Sequence, residues 1–159
     1  MVVIGSACTS ETTESMQWST GTYFLWRQRV IDHFNAIDFG EFDFVYAHEF
    51  VDANTPNLFV VLAVDGSRVK AEVQSMFSTF DGSSMFPSHI TDWQKFEVRF
   101  ESEAESLTIT FLHRSSTDGS VSFLHANAAG LIESQYYPYS AFPEEIAMLL
   151  NLFAGGRDL

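Results

Sequence analysis

Trp18 to Asp52, WSTGTYFLWRQRVIDHFNAIDFGEFDFVYAHEFVD, decides how the rest of the chain is read. Tyr23, Trp26, Val30, Phe34 and Ile37 recur at steps of three and four, which places them on one stripe of a helix with Arg27, Arg29 and Asp32 off it. Asp38, Phe39 and Gly40 break that period. Phe42, Val45 and Tyr46 resume it, predicting a short second helix, and His48 to Asp52 then alternates like a strand. The apolar stripe has to be covered, so each later segment is read by what it offers as cover.

Working outward, the run LFVVLAV that ends at Val64 predicts a strand or a buried approach to the next helix. Ser67 follows Gly66 as a candidate N-cap for a helix whose face is Val69, Val73, Met76, Phe77 and Phe80. From Lys95 the period changes to two. Lys95 to Glu101, Leu107 to His113, Val121 to Ala128 and Leu131 to Tyr137 alternate, with connections short enough for hairpins, so they predict an antiparallel meander. Pro143, Glu144 and Glu145 open a last helix with Ile146, Leu149, Leu150 and Phe153 as its buried face, and Gly155 follows. Helices followed by strands predict an α+β domain, with helices packed on one face of a curved sheet.

The chain has 159 residues, enough for one domain around a single core. We place that domain at residues 18–154, between an N-terminal tail (1–17) and a C-terminal tail (155–159). Its 16 Phe residues exceed what close packing usually demands, which suggests an apolar cavity in addition to a core. A net charge of -13 repels phosphate backbones and anionic head groups, so neither nucleic acid nor a membrane surface is an expected partner. No run approaches the ~18 apolar residues of a membrane span, and the N-terminus lacks a basic segment, so a cytoplasmic protein is expected. A single cysteine, Cys8, excludes an internal disulfide framework. No metal-ligand spacing, Gly-rich phosphate loop or GxSxG elbow is present, so no metal site is assigned.

The order of elements resembles the NTF2-like superfamily, and within it the SnoaL-like group of small cyclases, dehydratases and isomerases, fungal members included. The marks are HFNAIDFGEFDFVYAHEFVD from His33, GSRVKAEVQSMFSTF from Gly66, LHRSST from Leu112 and GLIESQYYPYS from Gly130. The resemblance implies a cone enclosing an apolar pocket, homodimers, and no metal or organic cofactor. His89 and His113 resemble the histidine pair of a fungal dehydratase of this superfold, and Asn127 its pocket asparagine.

Two clusters carry the expected chemistry. His89 and His113 could take a proton from carbon and return it to a leaving hydroxyl, which a dehydratase or isomerase needs. On the final strand, strict alternation would put Glu133, Gln135 and Tyr137 on one face, with Glu133 as a general acid and Tyr137 polarising a carbonyl. Tyr23, Trp26, Tyr46, Phe123, His125, Asn127 and Gln135 are expected to line the pocket, with His33 and Arg29 near the helical stripe. The functional expectation is a cofactor-independent lyase, isomerase or cyclase working by acid–base catalysis on a hydrophobic polycyclic polyketide or terpenoid. A non-catalytic binder of an apolar molecule, or a dimeric scaffold whose cavity is filled by its own Phe rings, is the alternative.

Overall fold

The computed structural model describes residues 20–51, 58–78, 93–134 and 136–156, without the side chains of 20–24, 26 and 27. The expected α+β organisation is present. Helix α1 (Thr20–Asn35) leads through a 3-10 turn (Phe39–Glu41) into strands β1 (Phe44–Phe50) and β2 (Phe59–Leu62). Helix α2 (Gly66–Ser78) precedes β3 (Gln94–Glu101), β4 (Ser106–His113), β5 (Gly119–Asn127), β6 (Gly130–Glu133), the short β7 (Tyr137–Pro138) and helix α3 (Pro143–Gly155). Among the described residues the strands form one open antiparallel sheet, in the order β2-β1-β3-β4-β5-β6 with β7 also on β5.

The predicted second helix at Phe42, Val45 and Tyr46 is instead a turn followed by a strand. The Asp38 carboxylate accepts from the Gly40 amide at 2.8 Å and tightens the chain into a single 3-10 turn. Beyond it, the spacing that suggested a helix coincides with alternation. Val45 and Ala47 face the helices, whereas Phe44, Tyr46 and His48 face outward, and β1 gains a partner strand on each side. Tyr46 therefore stands on the outer sheet face, 38% exposed, and is no part of a helical pocket wall. A smaller correction concerns α2, whose amides at Ser67 and Arg68 are capped by the Asp65 carboxylate rather than by Ser67.

Pairing register shows why the core is aromatic. Val98, Ile109 and Phe123 form one row across β3, β4 and β5, and Phe96, Phe111, Val121 and Tyr137 form the next. All are buried. Helix α1 lays Phe34 on Phe123 at 5.4 Å between ring centroids, α2 lays Phe77 on Phe123 at 4.6 Å, and α3 stacks Phe153 on Phe96 at 5.4 Å. Phe39 and Phe42 close the row at Phe100. The excess of Phe thus goes into ring-on-ring packing between the helices and the inner sheet face, where each buried ring contributes roughly 1.5–3 kcal/mol.

Candidate functional site

The structure brings together three groups at the β3–β4 hairpin end of the inner face. The His125 imidazole is 4% exposed; its Nε2 lies 2.5 Å from the Glu105 carboxylate and its Nδ1 lies 2.8 Å from Nε2 of His33. Each element presents its member for a local reason. Ser102 accepts the Ala104 and Glu105 amides on its hydroxyl and donates its own amide to the Glu105 carbonyl, which fixes the hairpin and the start of the Glu105 side chain. His125 occupies the inner face of β5, opposite Leu107 and Ile132. His33 sits on the last turn of α1, beside the fully buried Phe34 that anchors the helix to the sheet.

Proton placement follows from the acceptor. A carboxylate only accepts, so Nε2 of His125 carries the hydrogen that Glu105 receives. Neutral His125 is then an acceptor at Nδ1, His33 donates from Nε2, and the lone pair of His33 is at its Nδ1. Burial, and next to it the His125 imidazole, lowers the pKa of His33 below its ordinary 6.5, against an upward pull from Glu105. His33 is therefore held as the neutral base, with a carboxylate positioned to support positive charge through His125. Both outer groups reach only the central imidazole, so the three form a hydrogen-bonded line and share no ligand sphere.

Two depressions lie on the elements that carry the line. One, of about 350 Å³, is formed by the hairpin from Glu101 to Ser106 with Ala126 and Asn127. The other, of about 240 Å³, runs between α1 and β6 and is lined by Arg29, Val30, Leu131, Ile132 and Glu133. None of the three residues of the line is in its lining, but Arg29 and Val30 lie one turn before His33 and Ile132 pairs with His125.

The residues singled out from sequence distribute differently. His89 and Gln135, and the side chains of Tyr23 and Trp26, lie outside the described residues. His113 shares the inner face with His125 but ends β4 opposite Gly119, whereas His125 is opposite Leu107. Six residues of strand separate them, roughly 20 Å, so they cannot act on the same bond. Glu133 and Tyr137 do not share a face. From Leu124 to Val121 there are three steps on β5, but the returning chain takes four between their partners, Glu133 and Tyr137. That one-residue difference in register flips the alternation. Ser134 is held to β5 by exchanging bonds with Phe123: its amide donates to the Phe123 carbonyl and its hydroxyl accepts the Phe123 amide, both at 2.8 Å. Glu133 is exposed, and Tyr137 is core, stacked on Phe123. Phe123 is core too, not pocket wall, and Asn127 accepts the Ala129 amide at the β5–β6 turn.

At the far end, Gln94 and His113 form a cross-strand pair beneath α3. His113 stacks on Tyr139, whose buried hydroxyl has no hydrogen-bond partner among the described residues. Burial raises the pKa of that phenol, so it stays protonated. Gly119 makes room for it, since a Cβ there would come within 2.3 Å of the Tyr139 ring.

Glu105 is the member that sequence reasoning missed, because it fell in a segment read only as a hairpin connection. Its distance from His33 along the chain leaves no local signal. No helix of the described residues is long and apolar enough to cross a membrane. No protein-family model, no curated protein and no solved structure matches this chain.

Proposed function

We propose that the chain is a cofactor-independent acid–base catalyst of the NTF2-like, SnoaL-like kind, a lyase, isomerase or cyclase acting on a hydrophobic polycyclic natural product. The observation that carries this reading is the Glu105–His125–His33 line, in which a buried imidazole joins a carboxylate to a neutral imidazole near a groove lined by three aliphatic side chains with Arg29 and Glu133. His33 Nδ1 takes a proton from carbon, and the resulting imidazolium is supported through His125 by Glu105. In a dehydration the electron pair of the broken C–H bond forms the new double bond, the C–O bond breaks, and His33 returns its proton to the departing hydroxide as water. Val30, Leu131 and Ile132 offer the substrate an apolar floor. Helices packed on one face of an open antiparallel sheet support the family reading.

Nitrobenzisoxazole ring opening, which needs one C–H deprotonation and no cofactor, tests the site with a defined probe. The expected result is turnover above that of free imidazole, lost about 10²-fold in His33→Gln and reduced in Glu105→Gln. Equal rates for wild type and His33→Gln, with unchanged circular dichroism, sink the reading.

A second reading, a homodimer, has its own observation. The outer sheet face exposes Phe44 (58%), Tyr46, Phe59 (47%) and Val61 (59%). The charge next to them is neutralised within the strand: Glu97, only 7% exposed, pairs with Lys95 at 2.7 Å and with Arg99 at 3.1 Å. An apolar face with paired charges suits a second copy of itself. Sedimentation should give a dimer that Phe44→Glu converts to monomer; a wild-type monomer removes this reading.

A further inference from the structure

The geometry points to a ligand site for a single-ring aromatic that donates a hydrogen bond, a phenol, in the cavity between α3 and the His113 end of the sheet. It stands apart from the acid–base line and does not depend on it. The cavity holds about 130 Å³ and is lined by Gln94, Phe96, His113, Leu150, Phe153 and Ala154. Apolar cavities of about this size take up one aromatic ring. Phe96 and Phe153, stacked on each other at an interplanar angle of 19°, supply a fixed aromatic wall. Leu150 and Ala154 close the helix side.

The polar end of this cavity specifies the ligand. Gln94 donates from its carboxamide nitrogen to the Glu49 carboxylate. A carboxylate cannot donate, so the amide is held in one orientation and its oxygen remains an acceptor with no hydrogen bond among the described residues. His113 is directly opposite on β4. A ligand seated on the aromatic wall therefore meets an acceptor prepared by Glu49, and an O–H or N–H satisfies it where a methyl group leaves it bare. The Tyr139 hydroxyl, on the ring stacked against His113, is a buried polar atom at this end of the core with no hydrogen-bond partner among the described residues.

Titrations of the full chain with phenol and with toluene, followed by NMR, test the assignment. Phenol is expected to bind about tenfold more tightly than toluene, and Gln94→Leu should erase that preference while toluene still binds. Ala154→Phe, a change at an exposed position of α3 that projects a ring into the cavity, should abolish binding of both. Equal affinity for the two probes, no binding of either, or unchanged binding in Ala154→Phe overturns the proposal. Loss of proton transfer in His33→Gln with phenol binding intact leaves it standing, so the two sites are tested separately.

Discussion

The two ends of the inner sheet face carry the same residue type in opposite circumstances. At the hairpin end His125 is committed on both ring nitrogens, to Glu105 and to His33, and it joins a strand, a turn and a helix into one polar line. At the other end His113 lies between aromatic rings, stacked on Tyr139 and edge-on to Phe96, and lines a cavity under α3. An imidazole on a β-sheet is thus given its chemistry by what the neighbouring elements bring to it. A hairpin with a well-placed Glu makes it the middle of a hydrogen-bonded line, whereas a helix bearing Phe153 and Leu150 places it at the polar rim of a small hollow.

The comparison can be broken most severely through the ring between the two ends. Phe123 touches Phe34, Phe77 and Tyr137, so Phe123→Ala should cost about 3–5 kcal/mol in urea denaturation. It should weaken both ends together. Next, Glu105→Ala leaves the buried Nε2–H of His125 without its acceptor and should cost about 1–3 kcal/mol. Line broadening or a shift is expected for the His33 ring by NMR but not for His113; equal effects on both would contradict the separation of the ends.

Gly119→Ala probes the opposite end. The added methyl would lie 2.3 Å from the Tyr139 ring and 2.6 Å from the Leu112 carbonyl. Forcing them apart should cost about 1–3 kcal/mol and alter the phenol titration while sparing proton transfer. The smallest effect concerns pH. Burial, followed by the His125 imidazole, lowers the pKa of His33 in the fold, so the unfolded chain binds its proton more readily. Stability from this group is complete above its unfolded value of 6.5 and is lost as pH falls below it towards the lowered folded value. His48, lowered by its own burial and by Arg99, contributes in the same direction. Urea midpoints from pH 8 to pH 5 should therefore decline less steeply in His33→Gln than in wild type. An unchanged slope would place His33 outside the coupled line.

Much of the architecture was legible because it rests on local periodicity. The β3 and β4 alternations, the helical face of Val69, Val73, Met76 and Phe77, and the Pro143 start of α3 all appear where residue spacing put them. Where two periods coincided, at Phe42, Val45 and Tyr46, spacing could not choose between helix and strand; the strands on either side of β1 chose. The one-residue change of register between Glu133 and Tyr137 carried no signal in the alternation, yet it put them on opposite faces.

By itself, then, the sequence determined an α+β chain with an aromatic inner face, since burying a stripe or an alternate set of Phe residues is a local instruction repeated along the chain. Only the tertiary structure decided that His33, Glu105 and His125 meet while His113 stands apart. Strand register and helix docking set those distances, and both depend on contacts between residues far separated in sequence, which no local pattern encodes.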